Sequence, residues 1–376
     1  MSAEGMGRRA RSARGLAATG LMAAGLVAGL AAIEGIARLQ RPDHDKRCDV
    51  SYLQHPGYYS YPPLSAFQCT DEQGVEVRSL TDEQGLRNPR GMLAQAEVIL
   101  LGDSFVSAVM TPEDHTVAGR LRQAGIRIYN AGMDGCSTFQ ELELLRALLE
   151  HARPRTVVVA FYLGNDFRDN YFGRLSVSGS PTRSAPSLKA RLLQGCQGSY
   201  VCELLYTRLY LGWVRGQGRE PMASYSLAEM ASWRLSYEPQ METAVRRTEE
   251  ALSALAQLSR QTGCSLRLIG IPSKAQVWGS FHEISGFADD PRSMAYARAT
   301  IAAGYSCDRP DEVLGSLARA HGIAYESLLP TFRDRIARPL FGRIDVHWTS
   351  EGQGVAAEHL LDTLFGPPKP SAAGRP

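Results

Sequence analysis

Short apolar runs and amphipathic stretches alternate along the middle of this chain. The runs typical of buried strands are Val98–Gly102, Ile126–Gly132, Thr156–Gly164, Ser265–Pro272 and Ile323–Leu329. The stretches with helical spacing or helix-capping residues are His115–Gly125, Ser137–Pro154, Met241–Gly263 and Asp311–Gly322. Strands that alternate with helices indicate a parallel sheet covered on both faces. The predicted fold class is therefore α/β, a three-layer sandwich around a central parallel sheet.

Two regions interrupt this alternation. Residues 38–92 are rich in Pro, Tyr, Asp and Gln and have weak periodicity, which predicts a connector that packs on the domain. Within this connector, Thr81–Pro89 is interpreted as a turn flanked by short strands. Residues 167–240 predict an insertion at the rim of the sheet, because long loops of this composition are usually functional or disordered. The main domain is expected to span residues 93–366, followed by a disordered Pro-rich tail over residues 367–376.

The N-terminal region has the charge pattern of a membrane-anchored protein. Arg8, Arg9, Arg11 and Arg14 precede Gly15–Ile33, a segment of 19 residues without a charge. Such a segment is long enough to cross a bilayer, and arginine-rich flanks stay in the cytoplasm. We predict a cytoplasmic tail over residues 1–14, an anchor in the inner membrane over residues 15–37, and a periplasmic or extracellular remainder. The alternative is a cleaved signal peptide followed by secretion.

Composition adds few constraints on function. The 376 residues are 44% hydrophobic and 21% charged, and the formal net charge of +2 gives no sign of a nucleic-acid partner. The seven cysteines fit an oxidising compartment, and either Cys48 with Cys69 or Cys196 with Cys202 is close enough in sequence for a disulfide. No cysteine pair has zinc-site spacing, and neither a dinucleotide fingerprint nor a P-loop occurs, so no metal or cofactor is predicted.

Polar residues follow the predicted strands, at the edge where open α/β sheets bind ligands. Gly102-Asp103-Ser104 follows the first strand, Asn130–Gly135 the second and Gly164-Asn165-Asp166 the third, and Asp345–Gly352 comes before the last helix. A plain loop with a helix cap would use the same residues after the first strand. The complete set instead favours a nucleophilic serine, because a serine hydroxyl needs an adjacent base and donors for an oxyanion.

This hypothesis assigns a role to each of five residues. Ser104 is the predicted nucleophile, His347 its general base, and Asp345 the group that orients and stabilises the imidazolium. The predicted oxyanion hole consists of the backbone N–H groups of Ser104 and Gly135 and the side-chain amide of Asn165. Asp103 is interpreted as a structural residue that accepts N–H bonds within its own loop.

The blocks GDS, NAGMDG, GND and DVHW, in this order, resemble the SGNH/GDSL hydrolases over about Ile99–Leu364. By motif position the resemblance implies Ser104, Gly135, Asn165 and His347 as the functional residues, on a three-layer, flavodoxin-like α/β fold. The N-terminal apolar segment and DEQGLRNP resemble a membrane-anchored branch of the same family. Many members have the acid three residues before the histidine, where this chain has Ile344. The pattern Asp345-x-His347-Trp348 instead resembles polysaccharide O-acetyltransferases of the alginate type.

These observations predict a membrane-anchored serine esterase that cleaves acyl esters, O-acetyl esters above all, through an acyl-serine intermediate. Its expected substrate is an acylated small molecule or glycan, and no cofactor is needed. The first alternative is an O-acyltransferase that modifies a cell-envelope polysaccharide. The second is a non-catalytic glycan-binding or scaffold module, which the presence of both Ser104 and His347 disfavours.

Overall fold

The computed structural model describes residues 22, 24–36, 48–71, 74–177, 225–279, 304–342 and 345–365. These residues fall into two units, of which the first contributes only α1, a helix over residues 24–36 with mostly exposed side chains. Within the described ranges, no helix combines the length and the apolar character that a membrane span requires. Nine of the 23 residues of the predicted anchor over residues 15–37 lie outside those ranges, so membrane anchoring stays a prediction.

The second unit begins at Cys48 and is built on a five-stranded sheet. Its strands are β5 (Val98–Gly102), β6 (Ile128–Gly132), β7 (Thr156–Tyr162), β8 (Ser265–Ile271) and β9 (Ala324–Ser327). All neighbouring strands are parallel, and their spatial order is β6-β5-β7-β8-β9. This order places the second strand of the sheet outside the first, which is the flavodoxin-like arrangement. The predicted α/β class with a central parallel sheet is confirmed.

Helices cover both faces of the sheet. Successive strand residues point to opposite faces, so the strands contribute side chains to two separate core clusters. Ile99 and Leu101 pack in one core cluster, and Val98 and Leu100 pack in another. The first cluster is covered by α5 (Thr138–Leu149), α8 (Pro239–Thr262) and α10 (Arg309–Ala320). The second is covered by α4 (Val117–Gln123), α11 (Leu329–Asp334) and α12 (Ser350–Leu360).

Short helices complete the second unit. They are α2 (Met92–Gln95), α3 (Ser104–Ser107), α6 (Asp166–Val177), α7 (Tyr225–Ser232) and α9 (Lys274–Trp278), with a 3₁₀ turn at Glu113–His115 and a π-helical turn at Leu361–Phe365. Of these, α3 and α6 begin just beyond the carboxyl ends of β5 and β7, next to the predicted site residues Ser104 and Asn165.

The connector is more ordered than its composition indicates. It contains two antiparallel hairpins, β1 (Leu53–His55) with β2 (Tyr58–Ser60) and β3 (Ala66–Thr70) with β4 (Glu76–Leu80). A disulfide joins Cys48 to Cys69, one of the two pairs that the sequence singles out. The turn at Thr81–Pro89 follows β4 as expected, but helix α2 comes next rather than a second strand. That part of the prediction is wrong, since Met92 to Gln95 form one helical turn whose Leu93 is buried.

The predicted insertion over residues 167–240 is described only at its two ends. These ends contain most of α6, the whole of α7 and the start of α8. Residues 178–224 of the insertion, the second cysteine pair and the predicted tail lie outside the described residues.

Candidate active site

Ser104 is the first residue of α3, immediately beyond the carboxyl end of β5. Its loop runs very close to the sheet: a Cβ atom on Gly102 would lie 2.4 Å from Val106 Cγ2, and one on Gly132 would lie 2.3 Å from the Ser107 nitrogen. The Asp103 side chain caps α3, with Oδ1 accepting the Phe105 N–H at 2.9 Å. The abrupt end of the apolar run at Gly102 thus lets a short helix, with the serine at its start, rest directly on the strand ends.

The structure brings Ser104, His347 and Asp345 together. Ser104 Oγ lies 2.6 Å from His347 Nε2, and His347 Nδ1 lies 2.5 Å from Asp345 Oδ1. The Asp345 carboxylate also accepts the backbone N–H of His347 at 3.1 Å, which fixes the carboxylate beside the ring. With Nδ1–H donating to Asp345, the imidazole has its Nε2 lone pair free to accept the serine proton.

Two hydrogen bonds and an aromatic contact stabilise the turn that carries His347. Lys274 Nζ donates to the Gly342 carbonyl at 3.1 Å, and the Gly342 N–H donates to the His347 carbonyl at 2.9 Å. The Phe105 ring, from the residue after the serine, has its centroid 5.1 Å from that of His347. Trp348 is a core residue that packs against Phe105 and Phe332.

The electrostatics suit a general base. Partial burial lowers the pKa of His347, but the hydrogen bond and the negative charge of Asp345 outweigh burial, assisted by Asp103 and Asp134. The net result is a pKa above the ordinary value of imidazole. A raised pKa makes the imidazole a stronger proton acceptor, which is what a serine nucleophile requires.

The predicted oxyanion donors come shortly after the ends of three neighbouring strands, and the register of the sheet places these ends side by side. Gly102 of β5 is level with Gly132 of β6 and Ala160 of β7, and Ser104, Gly135 and Asn165 come shortly after these strands. Gly135 is exposed and has a φ of +70°, a conformation that glycine adopts without strain. Among the described residues, the backbone N–H groups of Ser104 and Gly135 have no hydrogen-bond acceptor. Both are therefore available to a ligand at this edge.

Sequence reasoning missed the carboxylate next to Gly135. Asp134 Oδ2 accepts the Tyr61 hydroxyl at 3.1 Å, while Asp134 Oδ1 accepts the Ser107 hydroxyl and the Asp134 carbonyl accepts the Tyr59 hydroxyl. The β1–β2 hairpin and α3 therefore both hold the loop that contains Gly135. No sequence pattern ties these distant tyrosines to Asp134, since 73 positions separate Tyr61 from it.

Arg87 is a second residue whose role the sequence did not define. Its side chain is 1% exposed, which excludes a surface salt bridge. Its Nη1 donates to the Ser107 carbonyl at 2.7 Å and the Ala108 carbonyl at 2.5 Å, and Nη2 donates to the Thr111 carbonyl at 2.9 Å. Ala108 ends α3 with a φ of +45°, which a residue other than glycine rarely adopts, so the guanidinium holds a strained turn in place.

Three carboxyl groups, those of Asp103, Glu141 and Asp166, are buried and interact electrostatically, and Asp103 directly precedes Ser104. Burial raises the pKa of Asp103 to about 7, and the pKa values of Glu141 and Asp166 lie well above their ordinary range because of burial and the charge of Asp103. Within the described part of the chain, Asp103 Oδ2, Asp166 Oδ1 and both Glu141 carboxyl oxygens are buried without a hydrogen-bond partner. Glu141 and Asp166 are therefore biased towards the neutral form, whereas Asp103 still contributes negative charge near neutral pH.

Comparisons with known proteins find similarity at the level of structure only. No family model and no curated protein matches the sequence. A GDSL-like lipase from Bacteroides thetaiotaomicron is 11% identical, with 71% of this chain and 87% of that chain covered and a TM-score of 0.36. The psychrotrophic esterase EstA from Pseudoalteromonas sp. is 13% identical, with 72% and 97% covered and a TM-score of 0.35. The acetylxylan esterase Axe2 from Geobacillus stearothermophilus is 13% identical, with 70% and 91% covered and a TM-score of 0.34.

Proposed function

We propose that this protein is an SGNH-type serine esterase that cleaves acyl esters, O-acetyl esters above all, through an acyl-serine intermediate. The observation that supports this best is the hydrogen-bonded chain from Ser104 through His347 to Asp345, with contacts of 2.6 and 2.5 Å at the open edge of the sheet. The four sequence blocks that resemble the SGNH/GDSL hydrolases support the same reaction class.

The first half-reaction forms the acyl-enzyme. Ser104 Oγ attacks the ester carbonyl carbon while its proton moves to His347 Nε2, and Asp345 stabilises the imidazolium. The oxyanion that develops is bound by the N–H groups of Ser104 and Gly135 and by the Asn165 amide. As the tetrahedral intermediate collapses, the C–O bond to the alcohol breaks, and the imidazolium gives its proton to the departing oxygen.

The second half-reaction regenerates the enzyme. Water attacks the acyl carbonyl and gives a proton to His347 Nε2, and a second oxyanion forms in the same hole. Collapse of this intermediate releases the carboxylic acid and returns the proton from the imidazolium to Ser104. The cycle therefore consumes one ester and one water and needs no cofactor.

A fluorophosphonate probe tests this proposal, because it labels only an activated serine. We expect labelling of the wild-type protein on the peptide that contains Ser104, and none in Ser104→Ala. Ser316→Ala is the matched control: this serine is exposed on α10, and its hydroxyl donates to the Glu312 carbonyl. Equal labelling of Ser104→Ala would place the activated serine elsewhere and contradict the role proposed for Ser104. No labelling of the folded wild-type protein would favour the non-catalytic glycan-binding or scaffold module instead.

An O-acyltransferase is the second candidate, favoured by the Asp345-x-His347-Trp348 pattern. The same acyl-serine would pass its acyl group to a sugar hydroxyl of a cell-envelope polysaccharide, and His347 would take the proton of that hydroxyl. The test incubates the enzyme with 4-nitrophenyl acetate and an unacetylated oligosaccharide, followed by mass spectrometry. An acetylated oligosaccharide indicates transfer, whereas acetate alone indicates hydrolysis.

We further propose that the segment over residues 15–37 anchors the protein in the inner membrane, with the esterase unit outside the cytoplasm. The support is the run of four arginines before an uncharged segment of 19 residues. A C-terminal alkaline phosphatase fusion, which is active only outside the cytoplasm, should then be active in the membrane fraction. Activity in the soluble periplasmic fraction would instead indicate a cleaved signal peptide, and an inactive fusion would contradict the orientation.

A further inference from the structure

Asn165 directly precedes α6, yet its side chain does not cap that helix. An Asn at this position ordinarily accepts an N–H of the first turn with its side-chain oxygen. Here Asn165 Oδ1 is buried without a hydrogen-bond partner among the described residues, and Nδ2 instead donates to Asp169 Oδ2 at 2.9 Å. The amide is therefore held by a carboxylate one turn further along rather than by the helix backbone.

Asp169 is itself firmly placed. Its backbone N–H donates to the Asn165 carbonyl at 2.9 Å, and its Oδ1 accepts Arg168 Nη1 at 3.0 Å. The Asp169 side chain is only 10% exposed. Burial raises its pKa to about 6 against the opposing effect of Arg168, so Asp169 is mostly ionised at pH 7 and above.

The contact decides which end of the amide faces Asp169. The oxygen and nitrogen ends of a side-chain amide have nearly the same size, so shape alone does not distinguish the two orientations. A carboxylate 2.9 Å away attracts the NH₂ end and repels the oxygen end. An Asn165 turned the other way would present an acceptor to a developing oxyanion and destabilise it.

We propose that Asp169 is the positioning residue of the oxyanion hole: it takes one N–H of the Asn165 amide and thereby fixes the other as a donor to the oxyanion. The inference rests on the proposed esterase function and extends it to a residue outside the four sequence blocks. Asp169 touches no reacting atom, so its whole effect on turnover passes through Asn165. Because an oxyanion exists only along the reaction path, the effect falls on kcat rather than on KM.

A double-mutant cycle tests this dependence, with 4-nitrophenyl acetate as the substrate. We expect Asn165→Ala to lower kcat by about 10²–10³. Asp169→Ala should lower kcat by about tenfold or more with little change in KM, and Asn165→Ala/Asp169→Ala should be no slower than Asn165→Ala alone. Multiplying effects in the double variant, or an unchanged kcat in Asp169→Ala, would overturn the proposal.

Asp169→Asn covers the case in which the alanine variant does not fold. Its side-chain oxygen still accepts the Asn165 N–H, so its kcat should recover to a value between those of Asp169→Ala and the wild-type protein. Should the alanine variant unfold, Asp169→Asn alone and combined with Asn165→Ala completes the cycle, with the same criterion of no further loss.

Asp311→Asn is the matched control. Asp311 is also a partly buried carboxylate with two side-chain donors, Tyr325 Oη at 2.6 Å and Ser327 Oγ at 2.7 Å. Its kcat should equal the wild-type value, and an equal loss in this control would reduce the Asp169 effect to a general structural one. A folded wild-type protein with no turnover would overturn the esterase proposal and this inference together, whereas an active wild type with additive variants overturns this inference alone.

Discussion

Ser104 Oγ and His347 Nε2 lie 2.6 Å apart, although 243 positions separate the two residues in the chain. One buried side chain links their segments: Gln353 of α12 donates from Nε2 to the Phe105 carbonyl at 3.0 Å and accepts the Val117 N–H at 2.8 Å. The helix that follows the His347 turn is therefore tied to the helix that begins with the serine. The contact between the two side chains is a consequence of how the last helix docks.

Because Ser104 and His347 act as a unit in the proposed mechanism, their variants should not add. We expect Ser104→Ala and His347→Ala each to lower kcat by about 10⁴-fold or more, and the double variant to be little worse than either. Steady-state kinetics on 4-nitrophenyl acetate measures this, with circular dichroism to verify folding. Independent, multiplying losses would contradict a shared step.

The raised pKa of His347 predicts the acid limb of the pH–rate profile. The imidazole must be neutral to accept the serine proton, so kcat/KM should rise with pH through the pKa of His347 in the free enzyme. Since the Asp345 carboxylate holds this pKa above the ordinary imidazole value of about 6.5, the midpoint should lie above that pH. Measuring kcat/KM from pH 5 to pH 9 locates the midpoint.

Asp345→Asn removes the charge that raises the pKa of His347. Its acid limb should therefore move to lower pH while the maximal rate falls, because a neutral amide stabilises the imidazolium less well. An unchanged midpoint in Asp345→Asn would show that another group sets the pKa of the imidazole.

Arg87 should be among the residues on which stability depends most. Arg87→Met removes the guanidinium from the carbonyls of Ser107, Ala108 and Thr111, of which only that of Ala108 keeps another donor, the Thr111 N–H. We therefore expect a loss of about 3 kcal/mol in the free energy of unfolding. The neighbouring Arg90 is exposed, and Arg90→Met should change this quantity by less than about 0.5 kcal/mol. Urea denaturation of both variants measures the difference, and equal stabilities would contradict the role of the buried guanidinium.

Glu141 should make stability fall as pH rises above about 4.3. Its folded-state pKa lies well above the unfolded value of about 4.3, because burial and Asp103 disfavour the charged form. Between these two pKa values the folded state keeps a proton that the unfolded state releases, so the free energy of unfolding decreases as pH rises. Glu141→Gln keeps the shape and removes this loss.

Thermal melts at two pH values check the Glu141 prediction. The Tm of Glu141→Gln relative to the wild-type protein should be higher at pH 8 than at pH 5. Glu150→Gln, at an exposed position just after α5, should show the same small difference at both pH values. A benefit of Glu141→Gln that does not depend on pH would mean that Glu141 does not carry the extra proton.

The sheet could be predicted from the sequence because its strands are buried on both faces and therefore read as unbroken apolar runs, as in Val98–Gly102 and Thr156–Tyr162. The long helix α8 was equally evident, since its apolar residues repeat at helical spacing and Gly263 ends it with a φ of +73°. The hairpins β1–β2 and β3–β4 were not predicted. Their strands are only three to five residues long. Exposed and buried residues alternate in β3 and β4, but β1 and β2 have no such alternation.

The candidate site, like the fold, was predictable from the sequence only in part. Ser104, Gly135, Asn165 and His347 stand in recognisable blocks, and the aligned strand ends bring three of these blocks to one edge. The residues that orient the blocks were not foreseen, because their contacts depend on side-chain direction rather than on spacing. Of these residues, only Asp169 has a signal in the sequence: it lies four positions after Asn165, the spacing at which two residues share a face in a helical segment.

Hydrogen bonds from the connector make it part of the unit that holds the candidate site. Arg87 and Tyr59 come before the first central strand, yet they hold the loops of Ser104 and Gly135. A protein shortened to begin at Gly91 would keep the whole sheet and every proposed triad residue, and would lose the outer supports of two loops. The smallest unit that keeps both supports therefore starts before the sheet, and a fusion to another protein that preserves the hairpins and their disulfide needs its junction before Cys48.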